Sequence, residues 1–119
     1  MKGFLDRYYF DSNMSFFKAI NQNNVILVKK LIECGADINA FNKNSVTPLI
    51  YACDKGRLQI VKHLVEHGAN VNQVNEDHVS ALATAYNKGR LNIAKYLVEN
   101  TSANWFGDLY NKDLELLRK

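Results

Sequence analysis

The chain is poor in cysteine. Cys34 and Cys53 are the only two among 119 residues. Two thiols cannot build the framework of a small secreted domain, and they suit a reducing compartment. The opening residues, Met1 to Arg7, lack the apolar core of a signal peptide. The expected location is therefore intracellular, cytoplasmic or nuclear. No uncharged apolar run reaches membrane-spanning length, which excludes a spanning helix of the usual kind. Charge of one sign is also scarce: 15 basic against 12 acidic side chains leave a net charge of +3. The cations are scattered, with no clustered basic stripe, so nucleic acid is not the expected partner. Glycine-rich phosphate loops, a Ser-His-Asp order and a paired-carboxylate pocket are likewise missing. An apolar fraction of 47% is ordinary for a globular chain, so disorder is not expected.

What the chain has is repetition at an offset of 33 residues. Thr47-Pro48-Leu49-Ile50-Tyr51-Ala52 opens the clearest copy. It runs through Gly56-Arg57-Leu58-Gln59-Ile60-Val61-Lys62 and closes at Gly68-Ala69-Asn70-Val71-Asn72. One period later stand Ser80-Ala81-Leu82-Ala83-Thr84-Ala85 and Gly89-Arg90-Leu91-Asn92-Ile93-Ala94-Lys95. One period earlier stands Gly35-Ala36-Asp37-Ile38-Asn39, preceded in register by Phe16, Ala19, Leu27, Val28 and Leu31. A period of this size signals a stacked array. Lys29, Lys30, Lys62 and Lys95 recur within it and read as a solvated helix face.

The physics of one unit follows from the middle copy. Thr47 suits an N-cap, where its hydroxyl accepts from a free first-turn N–H. Pro48 suits the first helical position, where a missing N–H costs nothing. Leu49, Ala52 and Cys53 share one face, and Gly56 supplies the positive φ that ends a helix. Leu58, Ile60, Val61, Leu64 and Val65 give a second helix its apolar side. Gly68 ends that helix, and a polar turn through Asn75, Glu76, Asp77 and His78 leads to Ser80 as the next N-cap. Such a unit buries its apolar face only by stacking.

At nearly every signature position these residues resemble the ankyrin repeat. The resemblance covers about Met14 to Asn104. It implies an all-α solenoid of stacked helix-turn-helix units with β-turn finger loops. The expected organisation is an N-terminal capping segment at 1–13, repeats at 14–46, 47–79 and 80–104, and a C-terminal cap or half repeat at 105–119. Apolar Phe4, Leu5, Tyr8, Tyr9 and Phe10, and Trp105, Phe106, Leu109 and Tyr110, suit the two caps, with Asp11-Ser12-Asn13 as N-cap candidates. Departures are specific. The family's histidine after Thr-Pro-Leu is replaced by Phe17, Ile50 and Ala83, which implies weaker hydrogen bonding between repeats. The finger glycine is replaced by Ser45 and His78. Met14-Ser15 stands for Thr-Pro, Asn23 for a helix-ending glycine, and Thr101-Ser102 for Gly-Ala.

The resemblance also implies function: a non-catalytic module that binds a partner protein on its concave face, as an adaptor or inhibitor. The abundance of Asn and Lys suits an AT-rich microbial or viral genome. No cofactor, metal or membrane is expected. The chain is expected to be monomeric, with self-association through an end cap as the alternative. Carried over by register, the partner-binding finger positions are Phe41, Lys43, Asn44 and Val46, then Val74, Glu76, Asp77 and Val79. The helix positions are Asn21 and Gln22, Asp54 and Lys55, and Asn87 and Lys88. Phe41 is the aromatic anchor candidate, the alternative being that it packs on its own finger.

A rival from another class rests on His63-Leu64-Val65-Glu66-His67. Two imidazoles one turn apart plus a carboxylate match an H-x-x-E-H zinc-peptidase pattern. In register with the histidines stand Lys30 and Cys34, then Tyr96 and Asn100. Glu66 recurs as Glu33 and Glu99. The pattern is therefore expected on an outward helix face rather than at a catalytic centre.

Overall fold

Helices follow one another in pairs through residues 16–101, the residues that the computed structural model describes. Helix α1 is described over 16–21, and α2 is Val25–Glu33. The second pair is α3 (Pro48–Lys55) and α4 (Leu58–Glu66). The third is α5 (Ala81–Asn87) and α6 (Leu91–Asn100). Among the described residues there is no strand, only an isolated antiparallel bridge between Val74 and Ser80. The expected caps at 1–13 and 105–119, together with Met14, Ser15 and Ser102, lie outside the described residues.

Local chemistry sets the helix ends. The Thr47 hydroxyl accepts from the Ile50 N–H at 3.2 Å, with Pro48 directly behind it. The Ser80 hydroxyl accepts from the Ala83 N–H at the same distance. Asn24 caps α2 through its carboxamide oxygen, 3.1 Å from the Leu27 nitrogen. Gly56 closes α3 at φ 75°, and Asn23 holds the same left-handed conformation at φ 55°. After α6 the pattern breaks. Gly68 turns left-handed at φ 95°, but its counterpart Thr101 is extended at φ −137°. There the threonine hydroxyl donates back to the Leu97 carbonyl. A β-branched residue resists positive φ, and its hydroxyl serves the helix end by another route.

One core runs through all three pairs. Phe16, Ala19, Ile20, Val28 and Leu31 belong to the same buried cluster as Leu49, Ala52, Cys53, Ile60, Val61 and Leu64. Leu82, Ala85, Ile93, Ala94 and Leu97 complete it. First helices stack on first helices, α3 on α5, while α4 packs against both α2 and α6. Ala52, Ala81 and Ala85 are buried, and small side chains let neighbouring backbones approach closely.

Two asparagines in register build the fingers. The Asn42 carboxamide oxygen accepts from the N–H groups of Asn44 at 2.8 Å and Val46 at 3.1 Å. The Asn75 oxygen accepts from Asp77 and Val79 at the same two distances. Each tip turns through a left-handed residue, Ser45 at φ 62° and His78 at φ 63°. The turn therefore keeps the backbone form that a glycine would supply. Left-handed backbone strains a side-chain-bearing residue by about 1–2 kcal/mol, and glycine gives part of that back as unfolded-state entropy. His78→Gly and Ser45→Gly should each raise unfolding stability by about 0.5–1 kcal/mol, read as a higher urea midpoint at unchanged m-value. A lower midpoint in both variants would contradict this reading of the turn.

Ties between pairs run through side chains other than the missing histidine. Arg57 donates from Nε to the Ile20 carbonyl at 3.1 Å and from Nη2 to the Asn21 carbonyl at 2.8 Å. Arg90, in register with it, donates to the Asp54 carbonyl at 3.2 Å. Each arginine thus donates to carbonyls at the end of the preceding first helix. The loops are joined as well. The Asn39 oxygen accepts from the Asn70 N–H at 2.6 Å, and the Asn44 carbonyl accepts from the Glu76 N–H at 3.2 Å. Ile50, at one of the substituted histidine positions, is buried.

Candidate functional site

Between the two fingers and the first helices α3 and α5 lies a cleft of about 410 Å³. Its apolar lining comes from Val46 and Val79 on the fingers and from Ile50 and Tyr51 on α3. Tyr51 is held in place from two sides. The Phe17 ring meets it edge-on at 5.3 Å between centroids, and the Lys55 ammonium lies 5.4 Å from its centroid. The rim is polar: Asn42, Asn44 and Asn75 on the finger side, and Asp54, Thr84, Asn87 and Lys88 on the helices. Asp54 and Lys88 pair across the two units at 3.2 Å.

The cleft brings together Asn44, Val46, Asp54, Val79, Asn87 and Lys88 from the residues singled out by register. Phe41, Lys43, Lys55, Val74, Glu76 and Asp77 stand outside its lining. Of these, Phe41, Lys43, Glu76 and Asp77 are exposed. Phe41 is 60% exposed, so it does not fold back under its own finger. Asn21 and Gln22 are exposed as well. Register reasoning missed Asn42, Ile50, Tyr51, Asn75 and Thr84. The available signal was the recurrence of asparagine at 42 and 75, one period apart, because an asparagine oxygen readily accepts from backbone N–H groups just ahead of it.

On the opposite helices, His63 and His67 line a smaller cleft of about 140 Å³ with Lys29, Ile32 and Glu33. His67 Nδ1 lies 2.8 Å from the His63 carbonyl oxygen, so that nitrogen carries the proton. Among the described residues no three His, Cys, Asp or Glu side chains gather closely enough to hold a metal ion.

The two cysteines occupy different environments. Cys53 is fully buried, and desolvation, with a smaller contribution from the Asp54 carboxylate, pushes its thiol pKa well above the usual range. Cys34 is exposed. Since the thiolate is the nucleophile, raising the pKa silences Cys53. At neutral pH an alkylating reagent should label Cys34 in the native chain and reach Cys53 only in denaturant. Mass spectrometry checks this, and rapid native labelling of Cys53 would contradict the packing of α3.

No helix among the described residues is long and apolar enough to cross a membrane. No curated protein matches the chain. A family model described as ankyrin repeats, in three copies, matches residues 16–106. Members of that family generally serve as protein–protein interaction modules. The match runs through every described helix and finger, where turns and buried positions recur at one offset, and the chain belongs to the ankyrin-repeat family.

Proposed function

We propose that the chain is a non-catalytic adaptor or inhibitor that receives a partner protein in the cleft between its fingers and first helices. One observation carries this reading: apolar Val46, Ile50, Tyr51 and Val79 line a solvent-open cleft with a polar rim. An apolar centre ringed by polar groups is the usual anatomy of a protein interface. The scaffold behind it is tied by Arg57, Arg90 and Asn39, so association orders little backbone. Phe41, Lys43, Lys55, Val74, Glu76 and Asp77 extend the contact beyond the cleft. Both cysteines are unpaired, which supports a role inside a cell, in cytoplasm or nucleus.

The test is comparative capture. Wild-type chain, Val79→Arg, Asn87→Arg and Lys95→Glu, the last at an exposed position on α6, are immobilised after circular dichroism shows each to be folded. A partner kept by wild type and Lys95→Glu but lost from both cleft variants is the expected result. Equal retention by all four removes the cleft from the reading.

A further inference from the structure

Resting on the proposed function, we infer that the cleft takes an extended, uncharged peptide segment that inserts a large apolar side chain between Val46, Val79 and Tyr51. Charge decides the first part. Among the described residues, Asp54 and Lys88 are the only charged ones lining the cleft, and they neutralise each other at 3.2 Å. A charged side chain inserted among the lining residues would find no unpaired counter-ion, because the Lys55 ammonium stands outside the lining over the Tyr51 ring, and it would lose hydration on entry. A neutral segment faces no such penalty.

Hydrogen-bonding capacity decides the second part. The oxygens of Asn42 and Asn75 are used by the fingers, but their carboxamide nitrogens bond to no other described residue. The Asn44 and Asn87 side chains have no partner among the described residues. Carboxamides supply both donors and acceptors, and an extended backbone offers one of each per residue. A helix satisfies its own backbone groups and would leave these amides without a role. The apolar lining and a volume of about 410 Å³ accommodate a bulky side chain with the peptide that bears it.

The experiment selects a phage-displayed library of random linear peptides on the wild-type chain, with counter-selection on folded Val79→Arg. The expected peptides share one large aliphatic or aromatic residue among neutral polar ones. Their affinity should change less than about twofold between low and high salt and fall about tenfold or more on Val79→Arg. Asp54→Asn, which frees Lys88, should shift the selected peptides toward acidic residues. Peptides of uniform charge that still require Val79 would overturn the inference while leaving the cleft as the binding site. Failure to enrich cleft-dependent peptides, with partner capture still lost in both cleft variants, would identify the occupant as a folded surface and also overturn it. Dimerisation abolished by Val79→Arg in sedimentation would give the cleft to a second copy of the chain and likewise overturn the inference. Failure of the library together with capture indifferent to the cleft would bring down the proposed function too.

Discussion

Gly56→Ala is expected to lower unfolding stability by about 2–3 kcal/mol, more than the same change at Gly68 or Gly89. Gly56 sits at φ +75°, where a side chain adds about 1–2 kcal/mol of strain. A Cβ placed there would also lie 2.8 Å from Arg90 Nε and 3.0 Å from its Cζ. The guanidinium can swing away, but it then gives up its hydrogen bond to the Asp54 carbonyl. A hydrogen bond from a charged donor contributes about 1.5 kcal/mol or more. Gly68 and Gly89 are the controls: both have positive φ, yet nothing lies within 4 Å of an added Cβ. Alanine there should lower stability by about 1 kcal/mol, from strain alone. Urea titration of the three variants makes the comparison. Equal losses at positions 56 and 89 would mean that displacement of Arg90 contributes nothing.

Leu64→Ala should be the most damaging truncation of the core, at about 3 kcal/mol within the usual 2–5 for such changes. Leu64 is fully buried on α4, the helix that packs against both α2 and α6. The cavity would open in the middle of the stack, where neighbours on both sides limit collapse. Small domains have only about 5–15 kcal/mol of stability in total, and an array of three units belongs at the low end. Leu91→Ala is the companion measurement. Leu91 is 54% exposed, so its truncation should change stability by less than about 0.5 kcal/mol. Comparable losses in the two variants would contradict the assigned packing.

The scaffold was legible in the sequence because its determinants are local. Thr47 before Pro48, Gly56 after α3, Gly68 after α4 and Ser80 before α5 each act within a few residues, and each sits where that chemistry requires. Asn23 was legible for the same reason, since asparagine tolerates left-handed backbone. The candidate site was legible only in part. Register grouped Val46, Val79, Asp54 and Lys88, which line one cleft, but it could not show that Asp54 reaches Lys88 rather than adjoining Lys55 as an isolated charge. Tyr51 was passed over because its position within α3 does not reveal that Phe17 and Lys55 hold its ring at the cleft. The roles of Arg57 and Arg90 were not legible. Their partners lie more than a full period away, and nothing local in the chain points to them.

Those arginines give the array a direction in time. Each one completes the end of a helix that precedes it, Arg57 for α1 and Arg90 for α3. During synthesis a first helix therefore leaves the ribosome before its clamp exists. At about 5–20 residues per second, the 36 residues between Asp54 and Arg90 take a few seconds to follow. Until then the Asp54 carbonyl lacks the donor that Arg90 brings. The clamp on each first helix is thus always made later than the helix it closes.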